Sequence, residues 1–456
     1  MSTPAAEDTG SDLDEAGGGG RRGLSLDLLA VGGGVLLVLT AALVGWDLID
    51  DGVNIFLWFP PLLASWHPHA GAGTVAAVIV AAVVVLYGPA AVARMRWRWL
   101  LVVAWLMSVA WTFSLAMVDG FRDGVAGRLE TDVEYLRDVP RVDDIGVMLR
   151  EFSEHILYTQ PEPWGLHVGA HPPGVLMVFV WLDRLGLGGG GAAGVFCILV
   201  GGSACVAVAI AVRALGSEAT ARAALPFGVL FPGAVWVGVS ADGMFAGVLA
   251  WAVAMLALGA TRRGWRAALF AVAGGMLLGF TVHLSYGLVL GGVFTLAVLA
   301  VTRRIGPLLF GLLGFAAVVG AFAVSGFWWL TGYDLVKIIY ADSIAKTRPY
   351  AYFVWANLAA LTFALGPAAL AGIRRLAARP RAVPAGAALL CAAALVAVLA
   401  ADISGLSKAE VERIWLPFAV WLMVPCALLL RRQTRAWLAA QAALTLAVVH
   451  LLWTVW

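Results

Sequence analysis

Residues 71–117 read GAGTVAAVIVAAVVVLYGPAAVARMRWRWLLVVAWLMSVAWTFSLAM, two apolar runs joined by Arg94, Arg96 and Arg98. About 20 helical residues, at 1.5 Å each, cross a hydrocarbon core of about 30 Å. The runs 71–92 and 98–117 both have that length. Arginines between them cannot enter the core, so they mark a turn at a membrane surface, the cytoplasmic one by the positive-inside rule.

The same unit recurs outward in both directions. Further apolar runs occupy about 27–46, 173–187, 191–212, 220–239, 244–260, 266–281, 285–302, 306–326, 353–373, 383–401, 414–430 and 436–455. Five more arginine turns separate them: Arg213 with Arg222; Arg262, Arg263 and Arg266; Arg303 and Arg304; Arg374, Arg375, Arg379 and Arg381; Arg431, Arg432 and Arg435. The pattern predicts an all-α, polytopic transmembrane bundle of about 13–14 hydrophobic spans in a plasma (inner) membrane. Placing every arginine turn inside makes the N-terminus cytoplasmic. It also requires 172–190 to be re-entrant or half-crossing, since a full crossing would invert everything after it.

Composition agrees. Of 456 residues, 62% are hydrophobic and 13% charged, against about 25% charged in soluble domains. Soluble enzymes, nucleic-acid binders and disordered proteins are excluded. The net charge of +2 points to no acidic or basic partner. Cys197, Cys205, Cys391 and Cys426 lie in apolar runs without metal or disulfide spacing. Residues 1–25 read as a disordered cytoplasmic tail, and 26–456 as a single transmembrane domain whose first helix is retained.

The outside connections hold the chemistry. The longest, 118–171, carries 11 of the 28 acids. Asp119 opens it, where a partly desolvated carboxylate can act as general base, or where Asp119-Gly120 is a turn former. Glu130, Asp132 and Glu134, with Tyr135, read mostly as a solvated face. They admit a divalent cation without the spacing of a metal site. Val142, Ile145, Leu149, Phe152 and Ile156 at helical spacing predict a helix on the membrane surface. His167 and His171 precede Pro172-Pro173, a rigid helix entry whose free N–H groups suit an anion. Asp242 follows Ser240 at another turn, as a cap or a used acid, and His283 sits in the next. Lys346 and Arg348 lie among aromatics in 327–352, against the positive-inside bias. Lys408, Glu410, Glu412 and Arg413 crowd the mouth of the span at 414–430. Ser407 with Glu410 fits a capping box, Lys408 with Glu412 an i,i+4 pair, and Glu410 with Arg413 an i,i+3 pair.

Asp119 at a large outer loop, His171-Pro172-Pro173, Pro232 with Ser240-Ala241-Asp242, and the stretch Glu410–Trp415 resemble the GT-C superfamily of membrane glycosyltransferases over roughly 98–430. More closely, the chain is similar to actinobacterial integral membrane proteins carrying SGLSKAEVERIWLPF, here 404–418. The resemblance implies a GT-C-like bundle with a long extracytoplasmic first core loop. It also implies a polyprenyl-phosphate sugar donor, a glycan or lipid acceptor from the cell envelope, and contact with membrane lipids but no nucleic acid. Asp119 would be the catalytic base. His167, His171, Asp242, His283, Lys346, Arg348, Lys408, Glu410, Glu412 and Arg413 would bind substrate. In that superfamily the large loop follows the first helix, whereas here it follows the third. Either 27–92 is an added hairpin, or the base is Asp47, Asp50 or Asp51; the loop directly after Asp119 favours the former. The rival classes are a multi-pass transporter, for which paired broken helices are expected and none is evident, and a non-catalytic envelope-lipid protein.

Overall fold

The computed structural model describes residues 20–455, the side chains from residue 22. Most of the tail expected over 1–25 lies outside the described residues, and its last part, Gly20–Ser25, already forms the first turns of a helix. Helices of ten or more residues are numbered in chain order: α1 Gly20–Asp50, α2 Thr74–Arg94, α3 Trp97–Ala116, α4 Gly174–Arg184, α5 Gly190–Gly202, α6 Ala204–Leu215, α7 Glu218–Val229, α8 Ala241–Thr261, α9 Trp265–Thr281, α10 Gly292–Thr302, α11 Ile305–Val324, α12 Trp329–Asp342, α13 Tyr350–Ala378, α14 Ala385–Ile403 and α15 Thr434–Leu451.

Among the described residues, eight helices are long and apolar enough to cross a bilayer, counting α5 with α6 as one. The remaining expected spans are shorter or broken. α9 and Tyr286–Thr302 are short, and Leu416–Leu428 and Arg431–Leu451 meet at 117°. α4, with eleven residues, reaches only about 16 Å, too little to cross. The apolar stretch of α8 is 78% buried inside the protein, while those of α1, α2 and α11 are 11–17% buried. α8 is therefore the central post, and the other three turn apolar faces outward.

Two devices hold the bundle. Where α9 meets α11, a Cβ on Gly275 would come within 1.8 Å of the Gly311 carbonyl, and one on Gly314 within 2.2 Å of Val272 O. Glycine there lets the backbones touch. In α13 the helix breaks at Gly366 (φ 73°) before Pro367. The freed groups find partners: Gln441 of α15 accepts from Ala368 N–H and donates to Leu365 O, both at 3.0 Å, and Gly233 N–H donates to Ala364 O. A break at membrane depth is stable only when its backbone is satisfied in this way.

The arginine turns gather at one end. Arg222 donates to Val92 O and Met95 O, Arg304 to Ala260 O and Arg262 O, and Arg375 to Leu428 O. There α1 is pinned to α13 by the buried Asp27, which binds Arg374 and Arg375. The segments around 54–70, 118–171, 282–285, 343–349 and 404–415 gather at the opposite end, here the loop end. A strand unforeseen in the sequence closes it: Ala64–Trp66 pairs antiparallel with Leu452–Thr454.

The expected surface helix forms as Ile145–Glu151, capped by Asp144, which accepts from Val147 N–H. Its apolar stripe faces the protein and not lipid. Leu149, Phe152 and Ile156 are buried, and Phe152 stacks on Trp164 and meets Phe327 edge-on. The long loop is thus a packed roof.

Candidate active site

The roof and the helix mouths beneath it enclose a cluster of ionisable side chains. Ser240 caps α8, accepting from Gly243 N–H and donating to Trp236 O. Asp242 in its first turn is therefore not the cap. It is buried and accepts from Arg413 Nη1 at 2.7 Å. Arg413 Nη2 donates to Glu410 Oε2 at 3.2 Å, and Arg348 Nη2 approaches Glu410 Oε1 at 3.4 Å. Two arginines thus share one glutamate.

The backbone that presents Glu410 is strained. Ala409 and Glu410 have φ of 70° and 61°, a left-handed conformation costing roughly 1–2 kcal/mol per residue outside glycine. Asn357 holds it, accepting from Ala409 N–H and donating to Asp402 and to Ser407 O, while Arg348 donates to Lys408 O at 2.6 Å. Strain held from several sides marks functional segments. The expected capping box does not form, because Glu410 is itself the residue before the Val411–Ile414 turn and its carboxylate goes to the arginines. Nor do Lys408 and Glu412 pair. Lys408 Nζ donates to Ala345 O, and Glu412 is buried with Oε2 unpartnered. Burial pushes the Glu412 carboxyl up to about 8, so it is a neutral acid at pH 7.

From the roof, Glu134 and Tyr135 join this cluster. Glu134 is 4% exposed, not on a solvated face, and its Oε1 meets His167 Nδ1 at 2.8 Å. Burial raises its carboxyl, but His167 beside it, together with Arg413, offsets that and leaves it below the usual range. Tyr135 lies against His167, His171 and Phe179. His171 Nδ1 faces His167 O at 2.8 Å. A carbonyl only accepts, so Nδ1 carries the hydrogen. Burial first, then the His167 and Arg413 charges, push His171 down to about 3. The ring is neutral, with Nε2 an acceptor.

Other predicted residues lie apart. Gly174 N–H, at the entry after Pro172-Pro173, is spent on His283 O, and the His283 ring lies flat on Phe322 at 3.9 Å. His283 thus braces the entry from behind instead of facing the charges. Lys346 is exposed. Asp119 sits in a second cluster, with Oδ1 2.7 Å from His69 Nε2 and Oδ2 2.7 Å from Arg128 Nη2. Arg128 Nη1 also donates to Thr454 O and Val455 O. Val455 packs against the apolar group that includes Ala409, the residue before Glu410. Asp47, Asp50 and Asp51 are exposed at the end of α1. The acids read as a cation pair are separated: Glu130 accepts from Gly190 N–H and Glu134 goes to His167. Among the described residues no group of three or more His, Cys, Asp and Glu is placed to hold a metal.

No family model and no curated protein matches the chain. Among solved structures it is similar to ArnT from Cupriavidus metallidurans in the apo state, with TM-score 0.46 and 17% identity over 71% of this chain and 58% of that one. It is also similar to the Archaeoglobus fulgidus oligosaccharyltransferase in complex with zinc and sulfate, with TM-score 0.42 and 16% identity over 77% of this chain and 53% of that one. The chain spans little more than half the length of either.

Proposed function

We propose that this chain is a membrane glycosyltransferase whose loop end faces outward, transferring a sugar from a polyprenyl-phosphate donor to an envelope hydroxyl. The observation that carries the reading is the buried pair of arginines, Arg348 and Arg413, sharing Glu410 at the mouth of the bundle beneath a packed roof. Buried cations of this kind are costly unless used, and planar guanidinium groups match phosphate oxygens. The arginine-rich opposite end suits the cytoplasmic face.

In this mechanism the donor phosphate lies against Arg413, Arg348 and Lys408, with His167 adding a donor. Asp119, held by His69 and Arg128, takes the proton from the acceptor hydroxyl as its oxygen bonds to the anomeric carbon. The bond from that carbon to the phosphate oxygen breaks, and polyprenyl phosphate leaves with the electron pair, its charge met by the arginines. One displacement of this kind inverts the anomeric centre. The test is purified protein incubated with radiolabelled polyprenyl-phosphate sugars and membrane acceptors. Release of polyprenyl phosphate with label in a glycoside supports the reading; donor bound but recovered intact contradicts it.

A further inference from the structure

A second recess opens at the loop end, outside the arginine cluster. It encloses about 280 Å³ between the roof and the α4–α5 turn, and its walls include Glu130, Arg137, Phe179, Asp183 and Leu187. Its polar groups differ in sign from the proposed phosphate site, with two carboxylates to one guanidinium. Glu130 spends Oε1 on Gly190 N–H at 2.6 Å, and Arg137 donates to Asp132 O. That lining repels a phosphate and offers acceptors to hydroxyl groups. Phe179, buried in the wall, and Leu187 at the edge give the recess an apolar side. The volume lies just below the roughly 300–1,000 Å³ of small-molecule pockets, enough for one ring.

Two further observations place the occupant. Its edge is open and partly apolar: Leu187 of the wall is 51% exposed, and Leu185, two residues earlier in the chain, is 74% exposed, as suits a lipid–water interface. Phe179 also stacks on Tyr135 at 5.6 Å, and Tyr135 meets His171 at 5.7 Å. One aromatic layer therefore separates the recess from the arginine cluster. We propose that this recess is an outer subsite for the acceptor, holding a neutral, hydroxyl-rich sugar of a membrane amphiphile beyond the one that reacts at Asp119. The assignment rests on the glycosyltransferase reading, but the binding it requires can be measured without turnover.

The experiment uses Leu187→Cys on a Cys205→Ser background, since Cys197, Cys391 and Cys426 are buried. The protein, in lipid nanodiscs, is labelled with a maleimide while n-octyl β-glucoside, or n-octyl phosphate as the anionic control, is titrated below micelle formation. The glucoside should slow labelling saturably and the phosphate should not. Asp183→Asn, at an exposed position that leaves packing intact, should weaken protection about tenfold, the loss of one hydrogen bond to a charged group. Equal protection by both probes, or protection unchanged in Asp183→Asn, overturns the subsite. Absent protection alongside intact sugar transfer defeats the subsite alone. Protection without transfer defeats the glycosyltransferase reading and leaves a glycolipid-binding site.

Discussion

Replacing Arg413 by Gln removes the partner that Asp242 meets at 2.7 Å, in a place where both residues are 5% exposed. Glu410 keeps Arg348, so the damage falls mainly on Asp242. Leaving one member of a buried ion pair uncompensated costs about 3–5 kcal/mol. Adding Asp242→Asn removes the stranded charge and lets two amides hydrogen-bond, so the double variant should recover most of that loss. Thermal unfolding in detergent, followed by tryptophan fluorescence, should rank wild type above the double variant and both well above Arg413→Gln. Donor binding should be lost in both variants, because the guanidinium is gone in both. An Arg413→Gln protein as stable as wild type, or a double variant no better than the single, would refute the burial argument. Donor binding restored in the double variant would refute the phosphate role.

The remaining predictions follow the same geometry. Glu412 has a folded value of about 8 above its ordinary 4.5, so its contribution to stability is present below about pH 4.5 and is lost as pH rises through 8. Glu412→Gln should flatten that part of the stability–pH profile and make the protein more stable than wild type at pH 8; parallel profiles would contradict the assignment. Asn357→Ala removes three hydrogen bonds, to Asp402, Ser407 O and Ala409 N–H, that brace the strained segment at Ala409 and Glu410, at about 1 kcal/mol each. It should depress transfer far more than unfolding temperature, and an unchanged transfer rate would show that the strain has no role. His69→Gln keeps a hydrogen-bonding group toward Asp119 but removes the imidazole. It should lower the transfer rate while leaving donor affinity unchanged, and an unchanged rate would separate His69 from the chemistry.

The bundle was legible because its determinants are local: apolar runs of crossing length, punctuated by arginines that lie together at one end. Charges directly before a membrane span pointed to Arg413, Glu410 and Glu412 for the same reason. Partners far apart in the chain were not legible. Glu134 looks like one acid in a solvated series until His167, 33 residues later, folds against it. Ser407 and Glu410 match a capping pattern, yet a left-handed backbone sends the glutamate to two arginines. His69 and Arg128 become visible only when the C-terminal strand closes the loop end beside Asp119. The apolar stripe at 145–156 has the period of a membrane-surface helix, but periodicity cannot say which apolar surface covers it, and Trp164 and Phe327 do.

Asp119→Asn tests the central claim most directly, with donor binding and transfer measured on the same purified protein. Asn keeps the size of the side chain and its contacts to His69 and Arg128 while removing the base. Donor affinity should match wild type, and transfer should fall by about 10²–10⁴-fold, the usual worth of a positioned general base. Full transfer activity in that variant would contradict the account.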